Sequence, residues 1–204
     1  MPKVGMPEIR KPQLIEATLE VIGEVGLNKT TVAMISKKAG VSAGIINHYF
    51  GGKHGLLDAS MRTILKELND GVRERRDAVS AEKPYERIRA IVGGNFDSRQ
   101  IDPRVMKTWL AFWAQAMHDP ELARLQKVNE KRLLSHLRYE LRKLMPAQRV
   151  ENTSSAIAAL IDGIWLRGAL SGGIDQRKAL DIIDDFLSRQ MADLESQSTS
   201  QLTG

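Results

Sequence analysis

The sequence predicts an all-α protein, and three features of its 204 residues support that fold class. Apolar residues recur at spacings of three and four through most of the chain, as they do on the buried faces of helices. Glycines and Asp-Pro pairs separate these segments at positions where helices end and begin. No segment alternates polar and apolar residues as a half-buried strand would. We therefore expect a small N-terminal domain of three short helices, followed by a larger helical bundle.

The individual helices follow from these stop and start signals. Gly26 and Gly40 end the first two helices, and Ser42 begins the third. Asp102-Pro103 and Asp119-Pro120 each combine a capping carboxylate with proline in the first turn. The Ser/Gln/Thr-rich residues 196–204 are expected to be disordered. In chain order, the spacing predicts helices over about 9–25, 31–39, 42–50, 53–78, 85–96, 102–117, 119–144, 149–170 and 175–194.

Composition and charge exclude several classes of protein. Cysteine is absent, which rules out disulfides, thiolate metal sites and cysteine nucleophiles. No segment approaches the roughly 18 consecutive apolar residues of a membrane span, and the first residues lack the apolar core of a signal peptide. We expect a cytoplasmic protein without a membrane partner. The net charge is +5, and residues 1–53 hold seven Lys or Arg against four Glu, which favours a polyanionic partner for the N-terminal domain.

Residues 31–50 have the pattern of a helix-turn-helix. Ala39 is small enough for two helices to approach closely, and Gly40 allows the turn between them. Ser42 would cap the next helix, so that the slim first turn formed by Ala43 and Gly44 could enter a major groove. Two small helices packed through an ordinary glycine turn would show the same spacing, so spacing alone leaves both interpretations open.

A longer run of residues narrows the choice. Ala39-Gly40-Val41-Ser42, Tyr49-Phe50, Lys53 and Leu56-Leu57 resemble the DNA-binding signature of the TetR family of transcriptional regulators. Many members have Tyr where this chain has Asn47, which leaves Asn47 available to contact bases. The residues expected to meet DNA bases or phosphates are Lys3, Arg10, Lys11, Thr31, Ser42, Ala43, Gly44, Asn47, His48, Tyr49 and Lys53.

Further segments resemble the choline-responsive repressors of glycine betaine synthesis within that family. They are residues 1–6, Ile91–Asp97, Trp109–Trp113 and Leu160–Arg167. The resemblance implies a repressor of the choline-to-glycine-betaine pathway that binds double-stranded operator DNA and responds to choline or a related quaternary ammonium ion. The alternative is a TetR-like repressor with a different ligand, such as a regulator of an efflux pump.

Aromatic residues of the second half suit a quaternary ammonium ligand. Trp109 and Trp113 lie one helical turn apart, as do Asp162 and Trp165. Ring faces and a carboxylate attract a cation that has no N–H to donate. Tryptophans at helical spacing are more often core residues, whereas a carboxylate in an apolar segment is costly to bury without a partner. The candidate ligand-binding residues are Phe96, Asp97, Trp109, Phe112, Trp113, Tyr139, Asp162 and Trp165.

These features define a domain plan, with residues 1–52 as the DNA-binding domain and 53–195 as the ligand-binding and dimerisation domain. The resemblance implies that the last two helices form a homodimer interface, although they could equally pack within the chain. A dimer would place two recognition helices on symmetric half-sites. Choline would then tilt the long helix that begins at Lys53 and change the spacing of those helices.

Two other classes of protein compete with this interpretation. An enzyme is disfavoured, because the sequence has no Gly-rich phosphate loop, no Gly-x-Ser-x-Gly and no His-Glu-x-x-His motif. The pairs His54/Asp58 and His118/Asp119 are more typical of solvated surfaces than of metal sites, so we expect neither a cofactor nor a metal. A helical adaptor for another protein would explain the bundle but not the basic N-terminal domain.

Overall fold

The computed structural model describes residues 7–202, and the side chains of residues 9–193. Every regular element in the described range is an α-helix, which confirms the predicted all-α class. The helices are α1 (Pro7–Val25), α2 (Val32–Ala39), α3 (Ala43–Phe50), α4 (Lys53–Asp77), α5 (Pro84–Asn95), α6 (Pro103–Ala116), α7 (Pro120–Leu141), α8 (Ala147–Leu170) and α9 (Gln176–Leu202).

The helices pack into two compact units. The first contains the chain up to Glu67 together with Asp102–Gln126, and the second contains Leu68–Ile101 and the chain from Lys127 onward. Helices α4 and α7 therefore contribute to both units. The units differ from the expected division after residue 52, because α6 and the first half of α4 pack with the N-terminal helices. As a division by function, that boundary stays a prediction.

The first unit is built around the helix-turn-helix. Helix α1 packs against α2 and α6. Gly26 and Gly40 have φ values of 77° and 65°, a region that glycine enters without steric cost, so both predicted glycine stops are confirmed. The buried apolar cluster that holds α1, α2, α3 and the start of α4 together consists of Leu14, Ala17, Val21, Ile35, Ile46 and Leu56.

Two carboxylates fix the starts of α6 and α7. The Asp102 carboxylate accepts a hydrogen bond from the backbone N–H of Arg104 at 2.8 Å. Asp119 accepts in the same way from the N–H of Glu121 at 2.9 Å. Because each carboxylate satisfies N–H groups that have no partner within the helix, both predicted Asp-Pro starts are confirmed.

The second unit contains a close crossing of α4 and α5. A Cβ on Gly94 would lie 2.6 Å from Cγ2 of Val72 and 2.9 Å from its Cα. A glycine inside a helix is otherwise unfavourable, so this contact explains why the sequence places one there. Gly94 thus marks a close approach of the two helices.

A buried ion network closes one end of the second unit. The fully buried Glu140 accepts from Nε of Arg87 at 2.7 Å and from Nζ of Lys143 at 2.8 Å. Arg87 also donates to the carbonyl of Val79 at 2.7 Å. Burial opposes ionisation of Glu140, but the hydrogen bonds from Lys143 and Arg87 outweigh it and hold its pKa below the usual range.

Two helix ends differ from the sequence-based expectation. Helix α7 ends at Leu141 rather than near Leu144, because Leu144 N–H donates to the carbonyl three residues earlier, at 2.9 Å, and tightens the chain into a turn. Helix α9 continues through Leu202, beyond the helix end expected near residue 194, and the disorder expected for residues 196–204 stays a prediction. No Gly or Pro interrupts the chain between Gln176 and Leu202, which leaves the helix without a stop signal.

Candidate functional site

The turn after α2 presents the first turn of α3 to solvent. Gly40 adopts the left-handed conformation, and the next N–H, of Val41, donates to the carbonyl of Ser36 at 3.0 Å. Ala43 and Gly44 then open α3, and both are exposed. Because neither has a long side chain, the backbone at this end of α3 can closely approach the floor of a groove.

Ser42 occupies the N-cap position of α3 but does not cap it with its side chain. The N–H of Ile45, the usual target of a capping hydroxyl, donates instead to the backbone carbonyl of Ser42 at 3.1 Å. The expected capping role of the Ser42 hydroxyl is therefore wrong. The residue is exposed, which leaves this hydroxyl available to an external partner.

The last turn of α3 carries the other polar candidates. Asn47 and His48 are exposed, and Tyr49 is half-buried against His48, with ring centroids 5.1 Å apart. The alternation of Ile46 in the core with Asn47 and His48 at the surface anchors one face of α3 and exposes the other.

Gly55 fixes the position of α3 against α4, a role that was not predicted from the sequence. A Cβ there would lie 1.8 Å from the backbone oxygen of Phe50, so α4 can begin directly behind α3 only with glycine at this position. Glycine is unfavourable inside a helix, so its presence in the first turn of α4 could have indicated a close contact there.

The basic candidates differ in how far they are already engaged. Lys53 donates from Nζ to the carbonyl of Leu27 at 2.9 Å, which leaves two of its three N–H groups for a phosphate. Thr31 caps α2 by accepting from Met34 N–H at 3.2 Å. Arg10 and Lys11 are exposed on α1, and Lys3 lies outside the described residues.

Lys37 and Lys38 end α2, and the structure distinguishes them. Lys38 is paired with Glu24 at 2.6 Å and Glu20 at 3.4 Å, so its charge is largely neutralised within the protein. Lys37 is exposed, and among the described residues no carboxylate pairs with it. Lys37 is thus a further candidate for a phosphate contact, one not identified from the sequence. Its position in the helix-turn-helix could have indicated this role.

Three of the candidate ligand residues cluster in the first unit. The ring centroid of Trp109 lies 5.7 Å from that of Phe112 and 5.7 Å from that of Trp113. Trp109 is 4% exposed and Phe112 is fully buried, while Trp113 is half-buried. The structure therefore brings these three rings together as a packed aromatic cluster on α6.

The other candidates lie in the second unit, and several are already engaged there. Trp165 donates from Nε1 to the carbonyl of Asn95 at 3.2 Å, next to the fully buried Phe96. Tyr139 is exposed, and the ammonium of Lys143 lies 4.6 Å from its ring centroid, in the place a ligand cation would take.

Asp97 is committed to arginines rather than free for a cationic ligand. It accepts from Arg75 at 2.5 Å and from Arg99 at 3.2 Å. Burial works against its ionisation, but the hydrogen bonds from these two residues prevail and lower its pKa. A quaternary ammonium ion would have to compete with two guanidinium groups for this carboxylate.

Asp162 differs from the sequence-based expectation. Its segment is apolar, yet the residue is exposed, because it lies beside, and not within, the face of α8 that buries Ile161 and Trp165. Desolvation of its carboxylate by the surrounding protein, and next the charge of Glu130, raises its pKa. Among the described residues, no cation pairs with either carboxylate. Asp162 on α8 and Glu130 on α7 are thus close enough for their charges to interact, and we call this pair of carboxylates the negative site.

The metal pairs considered from sequence are arranged differently in the structure. Nε2 of His54 contacts Oδ2 of Asp119 at 2.5 Å, and this hydrogen bond raises the pKa of His54. Asp58 pairs with Arg62 at 2.7 Å. Within the described residues, no group of three His, Asp or Glu side chains could hold a metal ion. In the same range, none of the helices is both long and apolar enough to cross a membrane.

Comparison with known families agrees with this architecture. Residues 14–60 match the family of bacterial regulatory proteins of the tetR type, and residues 84–192 match the BetI-type transcriptional repressor C-terminal domain. A curated relative from Vibrio parahaemolyticus serotype O3:K6, named HTH-type transcriptional regulator BetI, is 56% identical over 192 residues. The alignment covers 94% of this chain and 96% of the relative.

Solved structures share the fold. A putative transcriptional regulator from Pseudomonas aeruginosa PAO1 has a TM-score of 0.80 at 27% identity and is covered over 93% of both chains. A putative transcriptional regulator from Saccharomonospora viridis, solved in complex with choline, has a TM-score of 0.74 at 18% identity, over 87% of this chain and 95% of that one. The relatives are transcriptional regulators rather than enzymes. The chain thus belongs to the TetR family of DNA-binding transcriptional regulators and has a BetI-type C-terminal domain.

Proposed function

We propose that this chain is a homodimeric, choline-responsive repressor of genes that convert choline to glycine betaine. DNA binding by α3 is supported by one observation: the first turn of α3, directly after the Gly40 turn, is exposed, and Asn47 and His48 are exposed one turn later. Relatives that bear the BetI name support the choice of pathway. A regulator of bacterial transcription acts where the chromosome is, which argues for the cytoplasm.

DNA recognition combines two kinds of contact. Asn47 is suited to base edges, because an amide can donate to and accept from adenine at once. Ser42, Thr31 and Lys53 are suited to phosphates, which fix the position of the protein without distinguishing sequences. Arg10, Lys11 and Lys37 add positive charge near the same surface and make binding depend steeply on salt.

Dimerisation is supported by an unpartnered surface on α8 and α9. Leu166, Leu170 and Ile182 are exposed large apolar residues, with Leu170 74% exposed. A Cβ on Gly163 would meet nothing within 4 Å, so another helix could approach closely there. Since a single α3 buries little DNA surface, two copies on symmetric half-sites account better for specific binding.

The choline proposal is supported by the negative site formed by Asp162 and Glu130. A quaternary ammonium ion has no N–H to donate, so it is bound by carboxylates and ring faces rather than by directed hydrogen bonds. Trp165 follows Asp162 by one helical turn. The aromatic cluster of α6 is a second candidate set. The alternative to choline is another ligand, as in a TetR-type repressor that regulates an efflux pump.

Signal transmission is supported by contacts within the first unit. The aromatic cluster lies on α6, and Lys107 of that helix donates to the carbonyl of Gly23 on α1 at 2.5 Å. Arg104 pairs with Glu16 at 2.5 Å. A shift of α6 would therefore move α1, and α4 offers a second route because it runs from Lys53 into the second unit. Choline would weaken operator binding by its differential affinity for the two states.

Tryptophan fluorescence tests the effector part directly. Choline should produce a saturable change, whereas its uncharged analogue with carbon in place of nitrogen should not. Loss of the response in Trp165→Phe would assign it to the negative site, and loss in Trp113→Phe would assign it to the aromatic cluster of α6. An equal response to both compounds, or none to choline, would remove the quaternary ammonium proposal and leave the alternative.

A further inference from the structure

A contact between α4 and the turn that joins α6 to α7 brings a titratable group into the DNA-binding part of the first unit. Nε2 of His54, in the first turn of α4, lies 2.5 Å from Oδ2 of Asp119. The two residues are 65 positions apart in the sequence, and both belong to the first unit. Neither is among the residues proposed to bind DNA or choline.

The Asp119 carboxylate is held in place because it also caps α7. Its Oδ1 accepts from the N–H of Glu121 at 2.9 Å and from that of Leu122 at 3.2 Å, while Oδ2 faces His54. The imidazole of His54 is 61% exposed, whereas the carboxylate is 19% exposed. The imidazole can thus exchange its proton with solvent next to a carboxylate that α7 keeps in position.

The charges that act on His54 favour its protonated form. The hydrogen bond with Asp119 raises the pKa of His54, burial opposes this rise, and the charges of Asp119, Glu121 and Asp58 add to it. Asp58 lies on the same helix and is itself paired with Arg62 at 2.7 Å. Since the pKa is raised, the ion pair is fully present below about pH 6.5 and is lost as the pH rises through the folded value.

The same turn of α4 belongs to the surface expected to bind DNA. Lys53 precedes His54 and is proposed to contact a phosphate. Gly55 follows it and allows α4 to begin directly behind Phe50, the last residue of α3. A contact that holds His54 therefore also restrains the turn that orients Lys53 and supports α3.

We propose that His54 and Asp119 form a pH-sensitive switch that strengthens operator binding when His54 is protonated. The protonated imidazole donates to Asp119, holds the first turn of α4 against the α6–α7 turn and adds a positive charge beside Lys53. Because linked binding equilibria are reciprocal, operator binding should in turn favour protonation of His54. The inference rests on the proposed operator binding through α3 and Lys53, but the ion pair can be measured without DNA.

Proton NMR of the free full-length protein, titrated with pH, tests the ion pair. The chain has four histidines, and the resonance that is absent from His54→Gln identifies His54. We expect this resonance to titrate at a lower pH in Asp119→Asn than in the wild type, because asparagine can still cap α7 but has no charge. The control His118→Gln removes an exposed imidazole next to Asp119 and should leave the titration of His54 unchanged.

Operator affinity measured against pH, at constant ionic strength, tests the effect on DNA binding. From about pH 6 to about pH 9, the affinity of the wild type should fall about twofold to fivefold further than that of His54→Gln. Both proteins retain His48 on α3, so the difference between them excludes its contribution. Asp119→Asn should behave like His54→Gln, and His118→Gln should behave like the wild type.

Two results would overturn the inference. One is a His54 resonance that titrates at the same pH in the wild type and in Asp119→Asn. The other is an operator affinity that changes equally with pH in the wild type and in His54→Gln. A protein that binds no duplex specifically at any pH would instead remove the proposed function, while a titration of His54 that depends on Asp119 would still uphold the ion pair.

Discussion

Helices α3 and α6 both carry residues expected to bind ligands, yet they present them in opposite ways. On α3, Asn47 and His48 are exposed, whereas on α6 Trp109 is 4% exposed and Phe112 is fully buried. A partner as large as DNA reaches only side chains that are already at the surface. A small ligand can enter a closed interior if the protein opens. If α3 and α6 bind their ligands as proposed, operator binding would use a preformed surface, whereas ligand binding at α6 would require α6 to move.

The strongest test of the preformed surface is Gly55→Ala. The added Cβ would lie 1.8 Å from the Phe50 backbone oxygen, so α4 must move away from α3. We expect a loss of about 3 kcal/mol in the stability of the first unit, together with loss of operator binding. Hydrogen exchange should show faster opening of α2 and α3. In the control Gly44→Ala, the new Cβ meets only the flexible Ser42 side chain at 3.9 Å, so stability should be retained. Equal stability of the two variants would contradict the account.

Glu140→Gln tests how much the buried ion network stabilises the second unit. Removing the charge leaves Arg87 and Lys143 without their buried partner, which should cost about 3 kcal/mol near neutral pH. Because folding lowers the pKa of Glu140, its contribution is present above the unfolded pKa of about 4.3 and is lost as the pH falls through the folded value. Denaturant unfolding should thus show a difference from wild type that shrinks at acid pH. Glu74→Gln, an exposed control, should show no such difference.

Asn47→Ala tests whether α3 distinguishes bases. Loss of a bidentate contact with adenine should cost about 1–3 kcal/mol per half-site and relax sequence preference at one position. Lys37→Gln is the matched comparison, because losing a phosphate contact should weaken all sequences alike and reduce the salt dependence. Binding selections from random duplexes measure both effects. Unchanged affinity and preference in Asn47→Ala would remove the base-contact proposal.

Asp162→Asn should have the smallest effect, because the carboxylate is exposed. We expect choline affinity to fall about threefold to fivefold, with little change in the control Asp181→Asn. Because the pKa of Asp162 is raised, its carboxylate becomes protonated at a higher pH than that of an ordinary aspartate. Protonation removes the negative charge that attracts choline. Choline binding by the wild type should therefore weaken as the pH falls through that range, and the variant should lack this dependence. An Asp162→Asn protein with wild-type affinity would assign choline elsewhere.

The features that could be predicted from the sequence are those set by residues close to one another in the chain. The Gly40 turn, the Asp102 and Asp119 caps and the surface position of Asn47 each follow from residues within a few positions of one another. The effector region depends on contacts between distant segments. Neither the pairing of Asp97 with Arg75 nor the placement of Lys143 over Tyr139 follows from spacing. The exposure of Asp162 also depends on which face of α8 is covered, which an apolar segment alone does not reveal.

The central claim is that choline weakens sequence-specific DNA binding by this chain. Fluorescence anisotropy of a labelled duplex, selected for binding from random sequence, measures it directly as choline is added. The account predicts saturable release by choline and no release by its uncharged carbon analogue, at constant ionic strength. Tight, sequence-specific binding that choline leaves unchanged would contradict the claim and identify a TetR-family repressor that responds to a different ligand.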